Sequence, residues 1–381
     1  MSGSSPFYTQ DHAIFRESVR RFVEKEIRPH VDEWDEAGEF PRELYRRAAE
    51  AGILGLGFPE EYGGQPAPDP FYNIILTEEL TRAGSGGVIA SLMSLGIGLP
   101  PVVHLGTEDQ KRRFVPPVVA GEKISALAIT EPSGGSDVAS LRTTARREGD
   151  HYVINGSKTF ITSGVRADLY TVAVRTGGPG MDGISLLVVE KGTPGFSQTP
   201  LKKMGWWCSD TATLYFDDCR VPAENLLGPE NGGFMGIMRN FNGERLGLAA
   251  QACGFARLCI DEATAYARER ATFGRPLIEN QVVRHRLVDM NMKVNAARAY
   301  LDELAWRVHQ GETPVADLCM LKNLATGTLE YCASEAMQIF GGAGYMRGTP
   351  VERIYRETKV LTIGGGSSEI MKDLAARQMG M

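Results

Sequence analysis

Thr143–Gly164 reads TTARREGDHYVINGSKTFITSG, and the pattern of the chain changes here. Two turn signals, Gly149–Asp150 and Asn155–Gly156, divide short runs of β-branched and aromatic residues, the composition of strands. Four similar runs follow: LYTVAVRT (169–176), GISLLVVEK (183–191), GFSQTPL (195–201) and ATLYFDDCRV (212–221). Gly, Pro and Asp clusters separate them. The spacing predicts a compact β unit from Ser125 to Pro229.

On either side the helical period rules. Upstream, HAIFRESVRRFVEKEIRPHV (12–31) repeats Phe15, Val19, Phe22, Val23 and Ile27 at helical spacing, with Glu17, Arg20, Arg21, Glu24 and Lys25 filling most of the other face. RELYRRAAEAGI (42–53), the run Tyr72–Leu80 and TEDQKRRFVPPVV (107–119) continue it. Downstream, long runs cover Phe234–Arg270, Asn280–His309 and Thr313–Phe340, with a last one after Gly366. Helices of that length pack as a bundle. The order is α, then β, then α. It predicts an α+β multidomain chain: an N-terminal α-helical domain (1–124), a central β domain (125–229) and a C-terminal α-helical bundle (230–381).

Composition narrows the function. The 381 residues carry 41 Lys+Arg against 47 Asp+Glu, a formal charge of −6, with no basic block, which argues against nucleic-acid binding. The six cysteines form no CxxC and no Cys/His cluster, so they read as reduced thiols; the six histidines lack metal spacing, and no metal is expected. Ala83–Thr107 has no charged residue, but its glycines, serines and Pro100–Pro101 fit a buried helix ending near Pro100 better than a membrane span. The first residues lack a signal-peptide pattern, and the expected location is cytoplasmic.

No GxGxxG follows a strand and no GxxxxGK[ST] occurs. Two other glycine loops could cradle an anion: Thr130–Asp137 (TEPSGGSD), and Gly364–Glu369 (GGGSSE) directly before a helix. Each also reads as a plain turn with an N-cap. One carboxylate stands out. Phe234, Ile237, Met238, Phe241 and Leu248 mark an apolar stripe, and Glu244 and Arg245 fall along or beside it. That is either a semi-buried Glu–Arg pair or a desolvated carboxylate fit to act as a base.

These signatures together resemble the acyl-CoA dehydrogenase family over essentially the full length. PEEYGG (59–64), AITEPSGGSD (128–137), NGSKTFITSG (155–164), RATFGRPL (270–277), QIFGGAGYMR (338–347) and IGGGSSEIMKDLAAR (363–377) occur in the family's order. The resemblance implies an N-terminal helical domain, a central β-barrel-like domain and a C-terminal four-helix bundle. It further implies FAD held without a Rossmann fold, an acyl-CoA substrate, fatty-acid β-oxidation chemistry, and a homotetramer built as a dimer of dimers.

Carried over residue by residue, Ala128, Thr130, Gly135 and Ser136 would lie on the flavin and its pyrophosphate, Phe160 and Thr162 by the isoalloxazine. Arg270, Phe273, Gln338 and Gly342 would reach the FAD of a neighbouring subunit, and Ser367 and Glu369 its adenosine end. Arg245, Ser136 and Gly364 would face the acyl-CoA. The departure is at the base. Many members read YEG in the C-terminal loop, where this chain has Gly364-Gly365-Gly366. The long-chain and isovaleryl subgroups place the base instead on the helix opening the C-terminal domain, in a motif ending ERL, and Gly243-Glu244-Arg245-Leu246 matches it.

Glu244 is therefore the expected α-proton base, with the backbone N–H of Gly365 kept as an oxyanion donor, hydride passing to flavin N5 and electrons to electron-transfer flavoprotein. Glu369 and Glu131 are rival carboxylates, the first matching an FAD contact and the second set in a flavin loop. The triple glycine is expected to leave room for a long or branched acyl chain, or else to serve the turn alone. Alternatives on the same fold are a flavin monooxygenase, an acyl-CoA oxidase, and a non-catalytic acyl-CoA-binding paralogue. A monooxygenase needs no α-proton base, and an oxidase usually carries a further C-terminal domain.

Overall fold

The computed structural model describes residues 6–381, apart from the side chains of residues 239–242. Helices α1 (Gln10–Phe22), α2 (Val31–Ala37), α3 (Glu43–Glu50), α4 (Pro70–Thr81), α5 (Gly86–Leu92), α6 (Leu95–Gly98), α7 (Pro100–Leu105) and α8 (Glu108–Val119) come first. Strands β1 (Ser125–Ala128), β2 (Thr144–Glu148), β3 (His151–Thr162), β4 (Leu169–Arg175), β5 (Ile184–Glu190), β6 (Phe196–Pro200), β7 (Thr211–Pro222) and β8 (Leu226–Leu227) follow. Helices α9 (Gly233–Glu269), α10 (Gln281–His309), α11 (Val315–Phe340), α12 (Pro350–Ile363) and α13 (Ser368–Gln378) close the chain, with a small hairpin, β9 (Ala271–Thr272) and β10 (Arg275–Pro276), after α9. The α–β–α order read from periodicity is the fold.

By contacts the chain forms two compact units. A helical unit joins Met1–Glu33, Ala67–Ile89 and Asn242–Met381, and a sheet unit joins Trp34–Pro66 and Ala90–Phe241. In the sheet unit the strand order is β6-β7-β3-β2-β4-β5-β8, with β1 paired parallel to β4. β4 and β5 are buried on both faces over Leu169–Val174 and Ile184–Val189. That is why both read as unbroken apolar runs rather than alternating ones.

The two turn signals of the opening stretch part company. Gly149, at φ +62°, makes the β2–β3 hairpin turn. Asn155–Gly156 makes no turn. It is a bulge within the single strand β3, where pairing with β7 shifts between Ile154 and Gly156. The Asn155 carboxamide accepts from Asp218 N (2.9 Å) and donates to Asp218 Oδ1 (3.0 Å), which closes the gap the extra residue opens.

In the helical unit, α11 packs against α10, α12 and α13. Its inner face is mostly small or aliphatic, with Ala325, Leu329, Ala333 and Ala336 fully buried. α12 is absent from the periodicity reading, although its start is written plainly. Thr349 caps it by accepting from Glu352 N, and Pro350 takes the first helical position. The uncharged stretch 83–107 is not one helix ending near Pro100 but α5, α6 and α7, and Pro100 opens the last of them. Among the described residues no single helix is long and apolar enough to cross a membrane.

Candidate active site

Glu244 stands on α9, and Lys322 and the Gly364–Gly366 loop come to it from α11 and the end of α12. Lys322 is fully buried and donates from Nζ to Gly366 O at 2.5 Å. Asn323 Nδ2 donates to Ser368 O (2.9 Å), so two successive α11 side chains pin the loop and the start of α13. Ser367 caps α13 by accepting from Ile370 N. Gly365, at φ +65°, occupies the left-handed region, which costs a glycine nothing. Its N–H donates to no acceptor among the described residues.

Position 365 and the Glu244 carboxyl face one another at contact distance. A Cβ built on Gly365 would lie 3.6 Å from Glu244 Oε1 and 2.5 Å from Leu248 Cδ1. At Gly366 (φ +100°) a Cβ would strike Met371 Cε at 2.4 Å. These two glycines therefore do not enlarge a pocket. Positive φ and the ends of the Leu248 and Met371 side chains account for glycine at both positions, which favours the turn reading of the triple glycine over added room for a long or branched chain.

Burial pushes the Glu244 carboxyl up to about 7, against the pull of the Arg245 and Lys322 charges, which lower it. Burial likewise pushes Lys322 down to about 8, opposed by Glu244. Arg245 is itself buried. Glu369 behaves oppositely. It is exposed in the first turn of α13, and hydrogen bonds from its own backbone and from Ser367 hold it below the usual carboxylate range. Two carboxylates with environments pushed apart in this way differ in role: the buried one can take a proton at neutral pH, the exposed one stays ionised.

In the sheet unit, Thr130–Asp137 leaves β1 as a short turn, with Glu131 and Gly134 exchanging backbone hydrogen bonds (3.1 and 3.0 Å). Glu131 is buried and accepts from Arg142 N (2.6 Å), Thr143 N (2.8 Å) and Lys158 Nζ (2.8 Å). Lys158, fully buried, also donates to Ile129 O at 3.0 Å. Glu131 is thus a structural staple that fixes the loop's base, not a free acid. Its tip, Gly135 and Ser136, is exposed, whereas Ala128 is buried in β1 and can present only backbone.

Thr159 N donates to Thr130 O (2.9 Å) and so joins β3 to the loop. There β3 bulges a second time, between Lys158 and Ile161. Phe160 sits in the left-handed region at φ +59° with its side chain 70% exposed. A bulky residue held in that conformation and pointed outward is a feature of sites, since neither burial nor backbone preference explains it. Thr162 follows, paired with Thr211.

Arg270 and Phe273 lie at the end of α9, and Gln338 and Gly342 at the end of α11. Tyr266 stacks on Phe340 (4.2 Å between centroids), which ties those two helix ends together. Phe273 is wholly exposed at φ +51°, and Tyr345 and Met346 are exposed nearby in sequence. The structure gathers the expected residues into these three groups. Sequence reasoning missed Lys322 and Lys158; the apolar neighbours of Lys322 on α11 are a weak signal, whereas Lys158, between Ser157 and Thr159, carries none. The side chain of Phe241, placed on the Glu244 stripe, lies outside the described residues.

Known proteins resemble this chain from end to end. It matches the acyl-CoA dehydrogenase N-terminal domain over residues 9–122, the middle domain over 126–219 and the C-terminal domain over 231–380. An acyl-CoA dehydrogenase of Bacillus subtilis is 39% identical over 374 residues, covering 97% of this chain and 98% of that one. The rat mitochondrial long-chain specific acyl-CoA dehydrogenase is 37% identical over 381 residues, covering 99% and 88%. The crystal structure of a putative acyl-CoA dehydrogenase from Mycobacterium smegmatis superposes with a TM-score of 0.96 at 50% identity, covering 99% of both chains. With all three domains matched in order, the chain belongs to the acyl-CoA dehydrogenase family of flavoprotein oxidoreductases.

Proposed function

We propose that this enzyme dehydrogenates an acyl-CoA thioester between Cα and Cβ, with Glu244 as the base for the α-proton. The observation that carries the reading is steric. Position 365, where many relatives hold their base, abuts the Glu244 carboxyl at 3.6 Å. A carboxylate reaching in from α9 therefore serves the same point as one reaching in from the loop.

The chemistry follows from this placement. A CH₂ beside a thioester is weakly acidic, so the base must sit at contact distance and the developing enolate oxygen must meet preorganised donors. Burial gives Glu244 a proton affinity near neutrality, where a general base works best. The unused N–H of Gly365 is the protein's donor to the thioester oxygen, and Lys322 keeps it aimed by holding Gly366 O. Arg245, Gly364 and Ser136 are the residues assigned to the acyl-CoA.

FAD fits the residues present. The outward, left-handed Phe160 offers a ring face, Thr162 a hydroxyl beside it, and the exposed Gly135–Ser136 tip backbone N–H groups for a pyrophosphate, with open space where a Cβ on Gly134 would lie. Thr130 and Gly135 line that cradle, and Ala128 adds backbone. Bound there, FAD supplies the acceptor for the β-hydride. Arg270, Phe273, Gln338, Gly342, Ser367 and Glu369 are assigned to the FAD of a neighbouring subunit in a homotetramer, and the exposed Phe273 supports this. A base on α9 supports kinship with the long-chain and isovaleryl subgroups. Electron-transfer flavoprotein is the proposed acceptor, the cytoplasm the proposed compartment, and 1–124, 125–229 and 230–381 the proposed domains.

Anaerobic mixing of the Glu244→Gln holoenzyme with acyl-CoA tests the assignment. The oxidised-flavin absorbance should persist, and bleaching at the wild-type rate refutes Glu244 as the base.

A further inference from the structure

Helix α9 carries two glycines, Gly243 and Gly247, around its Glu244 turn, although glycine is an unfavourable residue inside a helix. Close packing does not require them. A Cβ on either would meet no atom of the described residues within 4 Å. Farther along the same helix the opposite holds: a Cβ on Gly254 would lie 2.3 Å from Thr81 Oγ1 of α4. So α9 is pressed against α4 at Gly254 and open two turns earlier, where Glu244 is.

Gln251 stands on this open side. Seven residues from Glu244, it lies on the same helical face, within about 20°. Side chains on a helix lean toward its N-terminus, so the carboxamide covers the turn of Gly247, where the space is. It is only 7% exposed, and its Nε2 finds no hydrogen-bond partner among the described residues. A buried amide donor without a partner is costly and therefore uncommon. Glycines that clear a path and a buried donor facing that path are independent features, and both point to a ligand.

We propose that Gln251 is a substrate-recognition residue: it donates to an oxygen on the acyl chain, and the preferred substrate is an acyl-CoA carrying a neutral hydrogen-bond acceptor, a keto, hydroxyl or ether oxygen, well out along the chain. This rests on the assignment of Glu244 as the α-proton base. Seven residues of helix rise about 10.5 Å, and an extended chain of about 1.5 Å bonds advances about 1.25 Å per carbon, so the oxygen sits about eight carbons beyond Cα. A carboxylate is a poorer match, because a neutral amide does not offset the burial of a charge.

The test uses the holoenzyme and a set of twelve-carbon acyl-CoAs: the plain chain and chains with one keto group at carbon 4, 6, 8 or 10. Flavin bleaching at limiting substrate gives a second-order rate constant for each. The expected result is about a tenfold preference for the 10-keto chain over the plain one, falling off as the oxygen moves toward the thioester, and loss of that preference in Gln251→Leu. Gln251→Leu should also melt higher than wild type without substrate, because a buried unpaired donor is gone. A flat wild-type profile overturns the proposal whether or not the variant folds. So does a variant that keeps the preference, or one that melts lower while leaving the ratios unchanged. If no thioester in the set bleaches the flavin, the dehydrogenation reading falls and this inference with it; if all bleach it equally, only this inference falls.

Discussion

The pH dependence of flavin reduction is the sharpest test of Glu244. An ordinary glutamate ionises near 4.5, whereas burial raises Glu244 to about 7. The base works only when ionised. A group titrating near 7 is about 1% ionised at pH 5 and about 90% at pH 8, a span of about 90-fold; an ordinary glutamate would change by less than twofold over that range. The charges facing Glu244 are those of Arg245 and Lys322, and both pull its proton affinity down. Lys322, pushed down to about 8, begins to lose its charge only at the upper end. The assay is single-turnover anaerobic bleaching at limiting acyl-CoA from pH 5 to 9, whose limb reports the free enzyme. The rate should rise about tenfold per pH unit between 5 and 6 and level off above 7. A profile flat from pH 5 upward, or an acid limb that survives in Glu244→Gln, refutes the reasoning.

Three other outcomes follow from the same contacts. Because the folded value of Glu244 lies above the unfolded one, its contribution to stability is complete below about pH 4.5 and is lost as pH rises through about 7. Glu244→Gln should therefore gain up to about 3 kcal/mol over wild type at pH 8 and nothing near pH 4.5, read by denaturant titration. Lys158→Met strands Glu131 as a buried charge and should cost about 3 kcal/mol, the lower end for such a loss because two backbone donors remain, together with reduced flavin content after purification. Phe160→Gly relieves a left-handed backbone worth about 1–2 kcal/mol and removes an exposed side chain, so the apoprotein should melt no lower while FAD binds more weakly; equal FAD affinity would count against Phe160 as a flavin contact.

Much of this was legible in the sequence because it is written in local pattern. The period change at Thr143 fixes the fold class, and α9 to α11 begin and end within two residues of their apolar runs. What stayed hidden depends on partners distant in the chain. Asn155–Gly156 has the letters of a turn, and only the pairing of its carboxamide with Asp218 makes it a bulge. Lys158 and Lys322 read as surface charges, and their burial becomes visible only with the acceptors that satisfy them, Glu131 and Ile129 O for one, Gly366 O for the other. Glu244 was singled out by its place on an apolar stripe. Its buried setting needed the helices around it.

The glycines show why residue type alone misleads about space. Gly365 and Gly366 suggest a widened cavity, yet both adopt positive φ and lie against Leu248 and Met371. Their positive φ favours glycine, and the ends of the Leu248 and Met371 side chains already occupy the space a Cβ would take. Gly243 and Gly247, in a helix where glycine brings no conformational advantage, have open space beside them. Alanine at either would favour the helix by about 1 kcal/mol and clash with nothing among the described residues, so packing and folding both argue for a larger residue there. A position where those two pressures agree and the chain still carries glycine is answering to a ligand or a partner, and the side of α9 that holds the base is where the acyl chain should be sought.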